Sequence, residues 1–275
     1  MNQPLRHAVF LDIDGTVLDI DSQSLSSTVC RVLTELRRRG HAVFINTGRA
    51  PGYVPYGILP AECFDGICAG LGSYADYNGK ILYENPIDEA DVRKLIAYCD
   101  GHKETCFLES EKDELNGRYS FLNNGTFHVQ RFYDTPDALF RAIGKLKIYK
   151  ITIPYLPNTE YRAFLNQHFT MCYCTATEQQ EFEYAEGAAI GCDKGYAVKR
   201  VCELLNIPIE RSIAIGDSEN DLGMLRAAGT SVAMGNAPDG VKSACTVVTE
   251  SVKNDGAAHA LIRLLAPELE NTYFA

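Results

Sequence analysis

Short apolar runs that stop abruptly at polar turns recur along this chain, with helical periodicity between them. Ala8-Val9-Phe10-Leu11 runs directly into Asp12-Ile13-Asp14-Gly15-Thr16. A continuous apolar run of this length predicts a strand buried on both faces. Leu25, Val29, Leu33 and Leu36 follow at helical spacing, and Gly40 closes that helix. Ala42-Val43-Phe44-Ile45-Asn46 is a second buried run, ending in Thr47-Gly48-Arg49. Strand, helix and strand at this spacing make a βαβ unit, and hence a parallel sheet with a right-handed crossover.

Gly66-Ile67-Cys68 predicts a third short strand, and residues 73–84 alternate around Asn78-Gly79, a strong hairpin signal. The rhythm then changes. Helical stretches at Asp88–Cys99 and Pro136–Leu146 mix with strand-like pieces at Thr105–Leu108, Lys150–Ile153 and Thr170–Thr175, and the turn Leu122-Asn123-Asn124-Gly125 separates some of them. The α/β rhythm returns with a helix starting near Asp193-Lys194-Gly195. Ser212–Ile215 follows as a strand ending in Gly216-Asp217-Ser218-Glu219-Asn220-Asp221, then a short helix to Ala228, then strands at Ser231–Met234 and Thr246–Val248. The fold class expected is α/β: a Rossmann-like parallel sheet core, residues 1–84 and 185–275, interrupted by an α+β cap domain at 85–184. Hinges are expected near Glu84-Asn85-Pro86 and Glu186-Gly187.

Composition narrows the function. The 275 residues carry a formal net charge of −10. A global acidic field repels phosphate backbones and anionic membranes, so neither a nucleic acid nor a membrane is expected as partner. A small anion is still accommodated where a metal ion or lysine reverses the field locally. No apolar run approaches a membrane span, and the N-terminal run stops too early for a signal peptide. The ten cysteines include no Cys-x-x-Cys and are expected to be reduced and mostly buried in a cytoplasmic protein. Cys172 and Cys174 sit two apart, as same-face strand residues do.

Three polar clusters directly follow buried strands: Asp12/Asp14, Thr47 and Asp217/Asn220/Asp221. In an open parallel sheet the carboxyl ends of the strands share one edge, so these clusters are expected to converge. Up to four carboxylates brought together repel one another, and an all-oxygen donor set resolves this with Mg²⁺. Lys194 at a helix start adds a cation. Together with the Thr47 hydroxyl this makes a receptacle for a phosphoryl group. A carboxylate there can attack phosphorus, and a second, two residues on, can protonate the leaving alkoxide and later deprotonate water.

Asp12-Ile13-Asp14-Gly15-Thr16, Thr47-Gly48-Arg49, Lys194-Gly195 and Gly216–Asp221, in this order, resemble the four motifs of the haloacid dehalogenase superfamily. Within it the chain resembles the Cof-type phosphatases, whose large α/β cap is inserted between the second and third motifs. The resemblance implies that Asp12 is the nucleophile and Asp14 the general acid/base. It implies phosphate binding by Thr47, Gly48, Lys194 and Asn220, and metal binding by the Asp12 carboxylate, the Asp14 carbonyl and Asp217. Asp221 would orient Lys194 or a metal-bound water. Arg49 is open between a substrate contact and a structural salt bridge. The expected reaction is Mg²⁺-dependent hydrolysis of a small phosphorylated metabolite, a sugar phosphate by family default, through an aspartyl-phosphate. The alternatives are a phosphomutase of the phosphomannomutase type, which needs a cationic second phosphate pocket in the cap, where Arg118, Arg131, Arg141, Lys145, Lys147 and Lys150 stand, and a non-catalytic phosphate-binding protein. Ile13 replaces the commoner leucine, and residues 186–192 are longer than usual. Gly70-Leu71-Gly72-Ser73-Tyr74-Ala75 fits a loose dinucleotide fingerprint, but a hairpin rather than a helix is expected after it. Oligomeric state is not legible in the sequence.

Overall fold

The computed structural model describes residues 6–22, 24–110, 118–121, 141, 143–175 and 183–274. The expected turn at 122–125, Arg131 and most of the expected helix Pro136–Leu146 lie outside these residues. An eight-stranded sheet forms the core. Its order across the sheet is Val247–Val248, Thr230–Ala233, Ser212–Gly216, Ala8–Leu11, Ala42–Asn46 and Gly66–Ala69, then Tyr74–Tyr77 and Lys80–Glu84. The first six run parallel, and the last two form the hairpin expected around Asn78-Gly79.

Alternation along the strands sorts the core into two layers. Val9, Leu11, Val43, Ile45, Ile213 and Ile215 face the helices Ser27–Arg38 and Gly256–Leu265. Ala8, Phe10, Ala42, Phe44 and Ala214 face the helices Lys194–Leu204 and Leu222–Ala227. Both sets are almost wholly buried, which explains why the strands read as continuous apolar runs. The helix Ser27–Arg38 starts where the Ser26 hydroxyl accepts the Thr28 N–H and ends with Arg37 and Arg38 against its negative terminus. Leu25 does not join that helix. It lies in the two-residue strand Ser24–Leu25, paired with Leu18–Asp19, because Ser26 caps the helix after it.

The second sheet is antiparallel, in the order Thr170–Cys174, Tyr184–Ala188, Ile148–Ile153, Cys106–Ser110 and Arg118–Phe121. The helices Glu89–His102 and Thr159–His168 cover one face through Val92, Leu95, Ile96, Tyr161 and Leu165. The sequence pattern had not marked the helix Thr159–His168 or the strand Tyr184–Ala188. That strand stays with the inserted sheet beyond residue 184, paired on both sides. The expected hinge at Glu186-Gly187 is therefore corrected: these residues are held mid-strand, opposite Thr152 and Ile151 on one side and Cys172 and Met171 on the other. At the end of the hairpin strand Lys80–Glu84, the Glu84 carboxylate accepts bonds from Lys147 (2.8 Å) and Tyr149 (2.7 Å) of the inserted segment.

Among the described residues no helix is long and apolar enough to cross a membrane. Gly70, Leu71 and Gly72 all have positive φ and lead into the hairpin, so the dinucleotide fingerprint has no helix behind it. The expectation of ten reduced cysteines is overturned at one pair. Cys30 and Cys63 form a disulfide, since the packing of the helix Ser27–Arg38 brings their Cα atoms to 5.4 Å across 33 residues. The other eight are thiols. Thiol titration of the denatured, unreduced protein should therefore count eight of the ten cysteines; a count of all ten would contradict the pair.

Candidate active site

Register brings the chemistry together. Leu11 lies opposite Ile45 and Ile215, so the next residues, Asp12, Asn46 and Gly216, lie level with one another at one edge of the sheet. Asp12, Thr47 and Asp217 follow at three adjacent strand ends. Asn46, fully buried, donates its side-chain amide to the Lys194 carbonyl at 2.9 Å. This ties the start of the helix Lys194–Leu204 to the same edge. Gly195 permits the close approach of the helix Leu222–Ala227: a Cβ there would lie 2.5 Å from the Gly223 carbonyl.

At the centre is one buried ammonium. Lys194 Nζ bonds Asp12 Oδ1 at 2.7 Å, Asp221 Oδ1 at 2.6 Å and Asn220 Oδ1 at 3.1 Å. Burial alone would depress its pKa, but the charges of Asp12 and Asp221 outweigh that and raise it. The carboxylates outnumber this cation. Burial first, then the Asp221 charge, pushes Asp12 up to about 7 against the pull of Lys194. Asp217 is also raised, by burial and by Asp221 and Asp12. Asp12, Asp217 and Asp221 each offer an oxygen, and these lie within 4.8 Å of one another. This all-oxygen set suits a hard divalent cation. Asp221 is the least available member. Its Oδ1 holds Lys194, and its Oδ2 accepts the backbone N–H groups of Asp217 and Ser218, both at 3.0 Å. Asp221 is thus committed to the lysine, which leaves Asp12 and Asp217 as the candidate carboxylates for a cation.

The remaining sequence candidates line the same pocket of about 230 Å³: Asp14, Thr47, Gly48, Arg49 and Asn220. Thr47 is buried, and its Oγ1 accepts the Arg49 N–H at 3.2 Å. Arg49 clasps both Asp14 oxygens at 2.9 and 2.7 Å, so the salt-bridge alternative is the one realised in this conformation. Asn220 bridges outward, its Nδ2 lying 3.5 Å from Glu186 Oε2.

The motifs left several residues without a role. Thr16 donates to Asp217 at 3.1 Å, and Asn236 donates to Asp217 at 3.2 Å and to the Gly15 carbonyl at 2.9 Å. Asn236 lies just past the strand Thr230–Ala233, so the strand-end rule that found Asp217 applies to it as well. Gly15 has φ +82°, and a Cβ there would lie 2.2 Å from Asp217 Oδ2. Lys150, Tyr184 and Glu186 reach the pocket from the inserted sheet, and no local spacing in the sequence announces them.

Residues 9–261 match the family model of haloacid dehalogenase-like hydrolases. The chain belongs to this family. Phosphatase YwpJ of Bacillus subtilis is 43% identical, covering 94% of this chain and 99% of its own. The 5-amino-6-(5-phospho-D-ribitylamino)uracil phosphatase YcsE of Bacillus subtilis is 42% identical over 92% of this chain and 93% of its own. The HAD subclass IIB sugar phosphatase BT4131 shares the fold at a TM-score of 0.75 and 22% identity, covering 94% of this chain and 98% of its own. The haloacid dehalogenase-like chain described here is accordingly a phosphoric monoester hydrolase.

Two outcomes follow for the site of this hydrolase. Gly15→Ala forces Asp217 out of place. It should lower kcat/KM for an aryl phosphate by about 10²-fold, and unchanged kinetics would contradict the Gly15–Asp217 contact. Lys194→Met leaves Asp12 and Asp221 buried and unpaired, a loss of about 3–5 kcal/mol by denaturant unfolding without divalent cations. The sign with pH is fixed by the raised carboxyl. A folded Asp12 near 7 against an unfolded value of 3.8 binds a proton that the unfolded chain has released, so folded-state stability falls as pH rises through that window. Removing the lysine raises Asp12 further, so the variant should lose more stability at alkaline than at acid pH. Equal losses would contradict the charge account.

Proposed function

We propose that this phosphatase hydrolyses the monoester of a small hydroxylated metabolite, a sugar phosphate or a close relative, through an aspartyl-phosphate on Asp12 with Mg²⁺ as cofactor. The observation that carries this reading is the pose of Asp12. Its Oδ1 is fixed on Lys194 at the strand end, and its Oδ2 is left to meet phosphorus. The donor set supports Mg²⁺ held by Asp12, Asp217 and the Asp14 carbonyl, where the ion would neutralise phosphoryl charge and aid in-line transfer.

The residues then divide the work. Lys194 and the Thr47 hydroxyl, with the Gly48 backbone and Asn220, bind the phosphoryl oxygens. Asp12 Oδ2 forms the bond to phosphorus while the ester oxygen departs and takes a proton from Asp14. Asp14 next removes a proton from water, whose oxygen attacks phosphorus and frees Asp12 and inorganic phosphate. Asp14 must first turn from Arg49, which occupies both of its oxygens. Thr16 and Asn236 fix Asp217, and Asp221 fixes Lys194.

The substrate class draws on three supports. The pocket is small, below the roughly 300–1,000 Å³ of drug-sized sites, and hydrogen-bonding side chains from Asp14, Arg49, Lys150, Glu186 and Asn236 reach it. YcsE is named for a ribityl phosphate and BT4131 for sugar phosphates. We place the reaction in the cytoplasm, in keeping with the eight cysteines left as thiols, the Cys30–Cys63 pair being the exception. Hydrolysis is favoured over a phosphomutase because the relatives YwpJ and YcsE are both named phosphatases. Turnover of p-nitrophenyl phosphate should require Mg²⁺, stop with EDTA and fall by at least about 10³-fold in Asp12→Asn. Full activity in that variant would overturn the mechanism.

A further inference from the structure

Alternation sorts the side chains of the strand Thr170–Cys174 onto two faces. Met171 and Tyr173 pack against the apolar layer under the helices, so Cys172 and Cys174 stand on the opposite face. Their sulfurs lie 3.8 Å apart. The pairing register sets Cys172 opposite Glu186 and Cys174 opposite Tyr184. Cys174, Tyr184 and Glu186 all line the catalytic pocket, and the next residue along the strand, Thr175, reaches Glu219 at 3.4 Å. The two thiols therefore belong to the wall where the inserted sheet meets the phosphoryl site, and the hydrolysis uses neither.

Access and geometry set this pair apart among the eight thiols. Cys172 and Cys245 are the two that are not buried. Cys99 and Cys106 also neighbour each other, but both are buried under the helices. Two residues along a strand span about 6.6 Å, inside the range over which a disulfide bridges two Cα atoms. The hydrogen bond between the sulfurs lowers the Cys172 pKa, against burial and the Glu186 charge, and raises that of Cys174. Cys172 is thus the sulfur more readily ionised, and the thiolate is the reactive form. Bonding would draw the sulfurs from 3.8 Å to about 2.05 Å. That contraction spans Tyr173 and falls on the strand that holds Tyr184 and Glu186 in register.

We propose that Cys172 and Cys174 are a peroxide-sensitive dithiol whose disulfide slows turnover by displacing the pocket wall. The Cys172 thiolate attacks one oxygen of hydrogen peroxide. The O–O bond breaks, the sulfur becomes a sulfenic acid, and the other oxygen leaves as hydroxide and takes up the proton lost by the thiol, giving water. The Cys174 sulfur then attacks the Cys172 sulfur, its proton passes to the departing hydroxyl, and a second water leaves. The two thiols give up two electrons, and one peroxide is reduced to two waters. A dithiol reductant reverses the bond by exchange. The proposal goes beyond the phosphatase reading and takes from it only turnover as a readout.

The test treats the Mg²⁺-loaded enzyme with hydrogen peroxide. Free thiols should fall by two from the eight of the untreated chain. The peptide 161–178, released by cleavage after Glu160 and Glu178, has this pair as its only cysteines and should lose two hydrogens. Turnover of p-nitrophenyl phosphate should fall by about tenfold as the wall shifts, and dithiothreitol should restore it. Cys172→Ser, given the same treatment, should keep its own untreated rate. A peptide that keeps both thiols, a disulfide from either sulfur to a third cysteine, or an unchanged rate once the bond has formed would each overturn the proposal. Equal peroxide sensitivity in Cys172→Ser would overturn it too. The peptide mass and the rate of the parent enzyme decide the matter even where the variant fails to fold.

Discussion

Three carboxylates, from Asp12, Asp217 and Asp221, share one buried ammonium, and the rest of the site is arranged around that imbalance. Lys194 can neutralise only part of the charge, and it divides itself between Asp12 and Asp221. Burial first, and then the charge of neighbouring carboxylates, pushes the Asp12 and Asp217 carboxyls up in pKa. Such an arrangement costs folding free energy, and a compact core chosen for stability alone would not keep it. A divalent cation and a phosphoryl dianion change the balance. On the proposed reading, Asp12 and Asp217 would hold a cation that adds positive charge beside them, and Lys194 would meet the incoming dianion with it.

The fold supplies the rigidity this needs. The register of Leu11 with Ile45 and Ile215 fixes three strand ends to one edge, and two helical layers bury both faces behind them. Asp221 is held by two backbone N–H groups and the lysine, so it cannot drift toward Asp12. Gly15, in a left-handed conformation, admits the Asp217 carboxylate to a space that any side chain would fill. The inserted sheet contributes from above, where Glu186 reaches Asn220 and links the roof to the residues that grip Lys194.

Much of this was legible in the sequence because the information is local. An apolar run that stops at Asp-x-Asp declares a strand end, and parallel topology dictates that strand ends meet. Asp12, Thr47, Lys194, Asp217 and Asp221 all converge where that rule puts them. The strand-end rule also covers Asn236, whose role went unread because no charge drew attention to it. What stayed hidden depends on pairing between distant segments. Glu186 belongs to a strand whose neighbours, Ile148–Ile153 and Thr170–Cys174, define its face only after the inserted sheet is assembled. Cys30 and Cys63 carry no spacing signal, and only helix packing brings them into bonding range. Leu25 fits the helical period, yet the Ser26 cap excludes it, a case of local capping chemistry overriding periodicity.

On the proposed reading the surplus carboxylates would hold a divalent ion between Asp12 and Asp217. Calorimetric titration of Mg²⁺ into the metal-free protein, repeated with Asp217→Asn, tests it most directly. One Mg²⁺ site is expected in the parent chain, with loss of that binding when the Asp217 charge is removed. Equal Mg²⁺ affinity in the two proteins would contradict it.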